Sequence, residues 1–134
     1  MIIKILGSGA GGGFPQWNCN GIHSSAVRAG KPGYRPRTQS SLAVSSDGRN
    51  WVLLNASPDL RQQIADNPEL HPEKTGPLRN SPIKAAVLTN ADVDHIVGFV
   101  HIRDLLRLTH LRRQRPAERA ALTVRAVMRR VLFV

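Results

Sequence analysis

With 134 residues, a single cysteine and a formal net charge of +10, the chain is long enough for one domain and has no means of forming an internal disulfide framework, which accords with a reducing compartment. No apolar run reaches the ~18 residues of a membrane span, and Met1-Ile2-Ile3-Lys4-Ile5-Leu6 runs into glycine without the shape of a signal peptide, so a cytoplasmic location is expected. The charge is uneven: residues 1–100 carry ten Lys or Arg against seven Asp or Glu, residues 101–134 nine against two, and those nine are all arginine.

Ile2, Ile3, Ile5 and Leu6 form a short β-branched strand that ends in Gly7-Ser8-Gly9-Ala10-Gly11-Gly12-Gly13. The glycines match G-x-G-x-x-G, but Pro15 comes too soon for the helix that would cradle a pyrophosphate. Their use is then conformational, letting the backbone line a pocket at close range. Residues 28–37 mix basic side chains with Pro and Gly and read as a surface loop, in which Tyr34 alone is no stacking platform, so specific nucleic-acid binding is not expected. Ser41–Ser45 and Trp51–Asn55, joined through Asp47-Gly48, carry the signal of a hairpin. Ser57 before Pro58 and Asp59 predicts an N-cap, with Leu60, Ile64 and Leu70 as the apolar stripe of a helix of two to three turns. Residues 67–82 are loop-like and deliver Ile83–Leu88 to the sheet as a buried strand.

That strand runs into Thr89-Asn90-Ala91-Asp92-Val93-Asp94-His95, where polar residues alternate before closing on an imidazole. Two carboxylates and a histidine this close repel unless a cation lies between them, and such donors suit Zn, Fe or Mn. Asp92, Asp94 and His95 are therefore the expected metal ligands and catalytic residues.

The spacing resembles the Thr-His-x-His-x-Asp-His signature of the metallo-β-lactamase superfamily. Thr89, Asp94 and His95 are in place, and Asn90 and Asp92 stand where two histidines serve the first metal position, so the resemblance implies at most one metal. Four motifs in order, Gly11–Asn20, Arg37–Ser41, Leu54–Gln63 and Asp94-His95, are similar to the coenzyme PQQ synthesis protein B family of that superfamily. The resemblance implies an α/β fold, the N-terminal half of an αββα sandwich. It also implies a role in making pyrroloquinoline quinone (PQQ), as an oxygenase with one divalent metal (Fe or Zn) that hydroxylates the tyrosine of a peptide-derived precursor. Alternatives are a carrier of PQQ or its precursor toward the periplasm, and a phosphodiesterase or other hydrolase of the same fold, which needs both metal positions. The expected substrate-pocket residues are Gly12, Gly13, Phe14, Gln16, Trp17, Asn55 and Ser57. The family's Cys-x-Cys-x-x-Cys pattern survives only as Cys19, with Gly21 and Ser24 at the other positions, so no structural zinc is expected.

The resemblance covers residues 1 to about 104. Residues 105–134 are Arg-, Ala-, Leu- and Val-rich, with a lysine-free basicity of the kind a shifted reading frame gives, so the chain is expected to be truncated or frame-disrupted there and inactive by itself. The other reading of this tail is a basic amphipathic helix, with Leu105, Leu108 and Leu111 on one stripe and Leu122, Ala126, Arg129 and Phe133 on another. Half a sandwich leaves one sheet face without a cover, which a second copy of the chain or the tail would have to supply.

Overall fold

The computed structural model describes residues 1–102; the expectations for the 105–134 tail lie outside the described residues. The element order is β1 (Ile2–Gly7), α1 (Ile22–Arg28), β2 (Ser41–Ser45), β3 (Trp51–Leu54), α2 (Leu60–Ala65), a 3-10 turn at Pro68–Leu70, β4 (Ile83–Val87), α3 (Val93–Ile96) and α4 (Phe99–Ile102). The strands form one sheet in the order β1-β2-β3-β4. β1 with β2 and β2 with β3 are antiparallel, whereas β3 and β4 are parallel.

The expected hairpin is present, with Leu42 opposite Leu54 and Ser45 opposite Trp51. Its turn is built on Asp47, whose Oδ1 accepts from the backbone N–H groups of Arg49 and Asn50, both at 2.8 Å. These amides hold the Asp47 carboxyl well below the usual carboxylate range.

Two expectations need correction. The sequence reading places no helix between the glycine loop and Thr38, yet α1 occupies Ile22–Arg28. Its residues lack a clear apolar period, and only Ser24 and Ala26 are buried. The Arg28 guanidinium ties its C-terminal end to the preceding loop by donating to the Gln16 carbonyl at 2.6 Å and to that of Cys19. Ser57, in turn, does not cap α2. That helix starts at Leu60 with Asp59 at the N-cap and no side-chain cap bond, because both side chains are engaged elsewhere. The Ser57 hydroxyl donates to Gln63 Oε1 at 3.2 Å, and the Asp59 carboxylate accepts from Gln39. The helix is accordingly short at six residues, and Leu70 reaches the core from the 3-10 turn instead.

The two faces of the sheet differ sharply. On one, Ala43, Trp51, Leu53, Ile83 and Ala86 are buried against Leu60, Leu70 and Ile102, with Ile64 and Phe99 packed around them. On the other, the cross-strand sets Ile3–Val44–Val52–Ala85 and Ile5–Leu42–Leu54–Val87 form an all-aliphatic surface. Ile3 and Ile5 are 57% and 68% exposed, Ala85 is exposed and the other five are half-buried. Among the described residues nothing covers this face, as expected of one half of a sandwich.

Candidate metal centre

Strand directions bring the relevant loops together. β1 and β3 are both antiparallel to β2, and β4 is parallel to β3, so β1, β3 and β4 all point the same way. Their C-terminal ends therefore release the glycine loop, Asn55–Ser57 and Thr89–His95 at one end of the sheet, where open α/β sheets place ligands.

Asn55 fixes the last of these loops. It adopts φ 65°, a left-handed conformation that asparagine tolerates better than most residues. Its side-chain Oδ1 accepts from Thr89 N at 2.9 Å and from Thr89 Oγ1 at 3.0 Å. Ala56 N donates to the His95 carbonyl at 2.7 Å, and Gly98 N donates to the Ala56 carbonyl at 2.8 Å. Gly98 has to be glycine for this contact: a Cβ there would stand 2.1 Å from the Ser57 carbonyl oxygen.

In the loop so held, Asp92, Asp94 and His95 each present one ligand atom, all within 4.8 Å of one another. Ligand atoms bonded to a single Zn²⁺ at ~2.1 Å stand ~3–4 Å apart, so the three side chains fit one divalent ion after closing by about an ångström. Asp94 and His95 are half-buried and Asp92 is exposed. His95 Nε2 lies 3.9 Å from Asp94 Oδ2. Asn90 orients the set: its Nδ2 donates to Asp92 Oδ2 at 2.9 Å, and its Oδ1 accepts from Asp92 N at 3.1 Å and from His95 Nδ1. Since a carbonyl oxygen only accepts, Nδ1 is the donor in this contact, which in a neutral imidazole leaves the Nε2 lone pair for a metal, the arrangement usual behind a ligating histidine. Sequence reasoning placed Asn90 only as the replacement for a first-metal histidine and missed these contacts, for which the signal available was its spacing, two residues from Asp92 and five from His95.

The pocket residues expected from sequence separate into three groups. Gly12, Gly13 and Phe14 lie in the glycine loop, which is joined to the strand entering β2 by paired Phe14 and Arg37 backbone hydrogen bonds, 2.8 Å each, and a Gly9 N donation to Thr38 O, also at 2.8 Å. Gln16 and Trp17 are exposed, Trp17 at 85%. Asn55 and Ser57 are buried. Cys19 is half-buried beside Ser24, and a hydrogen bond from Ser24, with the Gly21 backbone and the Arg28 charge, lowers its thiol pKa.

Comparison with known proteins assigns this arrangement to a class. The chain belongs to the β-lactamase superfamily, whose "Beta-lactamase superfamily domain" model matches residues 50–133. Within that class it is similar to proteins named coenzyme PQQ synthesis protein B, at 55% identity over 104 residues for Methylobacterium radiotolerans and 58% over 104 residues for Methylorubrum extorquens. Each match covers 78% of this chain and 34% of the relative, so the chain spans about a third of the length of these relatives. Among solved structures, the Zn²⁺-bound PqqB of Methylobacterium extorquens aligns with a TM-score of 0.74 at 58% identity, and a diphosphatase of the PhnP family with 0.57 at 29%; they cover 78% and 77% of this chain and 34% of theirs. The metallo-β-lactamase-like α/β fold expected from the motifs is thus confirmed.

Proposed function

We propose that this chain carries the metal-holding part of a PQQ-biosynthesis protein, with one divalent ion, Fe or Zn, bound by Asp94, His95 and Asp92. The observation behind this reading is the clustering of those three ligand atoms at the sheet end, together with the similarity to a PqqB described as Zn²⁺-bound. Bound there, the metal would supply open coordination positions where O₂ and a phenol can meet, as hydroxylation of a tyrosine in a peptide-derived precursor requires. Asp94 and His95 hold the ion from half-buried positions, Asp92 completes the charge balance from the exposed side, and Asn90 keeps the His95 lone pair turned inward. A PQQ-related molecule is the partner this reading implies. Transport of PQQ toward the periplasm is the non-enzymatic alternative.

A hydrolase reading has one observation in its favour, the likeness to a diphosphatase. Against it stand Asn90 and Asp92 at the positions of the first-metal histidines, which leave a two-metal clamp incomplete.

The deciding experiment replaces the corresponding segment of the Methylorubrum extorquens relative with residues 1–104 of this chain. The hybrid is supplied with Fe(II), O₂, a reductant and a tyrosine-containing dipeptide. The expected result is product heavier by one oxygen atom, abolished by chelation and by His95→Ala. Binding of PQQ with no metal-dependent turnover would favour the carrier.

A further inference from the structure

The glycine loop comes close to the candidate ligand Asp94 at Gly11. A Cβ built on Gly11 has Asp94 Oδ2, Cγ and Cβ as its three nearest atoms, at 3.2, 3.5 and 3.7 Å. Gly11 does not adopt a positive φ, so its backbone would accept alanine, and the space taken by the Asp94 carboxylate is what a side chain there would contest.

Beside the Phe14–Arg37 and Gly9–Thr38 backbone bonds, the side chain of Gln39 holds the loop next to Gly11. It is 8% exposed, and every polar group it has is engaged. Its Oε1 accepts from Gly12 N at 2.9 Å. Its Nε2 and backbone N both donate to Asp59 Oδ2, at 3.1 and 2.8 Å, and its carbonyl accepts from Gln63 Nε2 at 2.8 Å. Asp59 sits at the start of α2, so a chain of contacts runs from that helix through Gln39 to Gly12, and from neighbouring Gly11 to Asp94. A buried amide with all its groups engaged has one low-energy placement, because any shift strands a donor or acceptor away from water.

We infer that Gln39, anchored on Asp59, is a positioning residue for the metal centre: it sets the height of the glycine loop over Asp94 and thereby the orientation of that carboxylate toward a divalent cation. The inference rests on the metal reading above, and its test separates the two. The probe is Co²⁺, titrated into the full chain and followed by visible absorption, with circular dichroism and thermal melting recorded alongside. Gly11→Ala, which pushes directly on Asp94, and Gln39→Glu, which keeps an acceptor for Gly12 N but sets two carboxylates against each other, are each expected to weaken Co²⁺ binding by about 10–100-fold, the range for outer-shell partners of metal ligands. Gly11→Ala should leave the melting curve where it was, which separates positioning from general destabilisation. Combining Gln39→Glu with Asp59→Asn restores a donor between the two positions and should recover most of the affinity. Undiminished Co²⁺ binding by both single variants, with the unsubstituted chain binding normally, overturns this inference alone. Absence of Co²⁺ binding by the unsubstituted chain overturns the metal reading, and this inference with it. A Gln39→Glu chain that fails to fold leaves the decision to Gly11→Ala.

Discussion

Truncating an aliphatic side chain on each face of the sheet should give very different results, because one face is packed and the other is bare. Leu53 lies on β3 with no exposed surface, between Ala43 and Ala86 on the neighbouring strands. Leu53→Ala removes a fully buried side chain and leaves a cavity that alanine neighbours fill poorly, so a loss of about 2–5 kcal/mol is expected. Ile5 lies on the edge strand β1 and is 68% exposed. Only about a third of its surface leaves water on folding, and full burial of an isoleucine is worth about 1.5–3 kcal/mol, so Ile5→Ala should cost about 0.5–1 kcal/mol. Urea unfolding followed by Trp51 fluorescence reads the difference, since Trp51 is 2% exposed within the core, and a Trp17→Phe background removes the signal of the 85% exposed Trp17. Equal losses at Ile5 and Leu53 would refute the bare face. If the midpoint then rose with protein concentration, a second copy of the chain would be its cover.

Three further outcomes follow from the same geometry. Asp94→Asn and His95→Ala should each abolish metal binding, while Asn90→Ala, which only frees the His95 ring and Asp92, should weaken it by about tenfold; equal and complete loss at all three positions, measured by Co²⁺ titration, would remove the distinction between ligand and orienter. Metal bound by two half-buried ligands and an exposed carboxylate should be lost on dialysis, so stoichiometric metal afterwards, by elemental analysis, would contradict a three-ligand site. The Asp47 carboxyl has a depressed pKa in the folded chain, so its contribution to the hairpin is fully present above the ordinary carboxylate range and is lost as pH falls through the depressed value; an NMR titration of Asp47 that follows an ordinary aspartate would refute the turn network.

The strands were legible because their signals are local. Alternation in Ser41–Ser45 and Trp51–Leu54, an Asp-Gly turn, and a β-branched or apolar run at Ile2 and at Ile83 each specify a strand without outside help. The clustering of Asp92, Asp94 and His95 was legible because the three lie within four residues at a strand end, where the chain turns and can bring their side chains together. The start of α2 was misjudged because Ser57 and Asp59 have tertiary partners, Gln63 and Gln39, which outcompete the capping role their spacing suggests. Helix α1 was invisible because its hold on the loop comes from Arg28 reaching carbonyls nine and twelve residues back, a contact no periodicity encodes. The role of Gln39 lies 20 residues from Asp59 and 27 from Gly12, and only the sheet brings the three together.

Asn90 links the fold to the number of metals on the reading proposed above. Where the superfamily signature has a histidine ligand, this loop has a neutral amide whose oxygen is already committed to His95 Nδ1 and Asp92 N, and whose nitrogen donates to Asp92. Bringing a second cation to this position would break the bonds that orient both of these ligands. Asn90→His removes the orienting amide and supplies an imidazole, so it should raise metal stoichiometry only if Asp92 is also replaced by histidine. The double substitution, assayed by Co²⁺ titration and by hydrolysis of a phosphodiester, tests whether this loop differs from a two-metal hydrolase loop at these two positions alone.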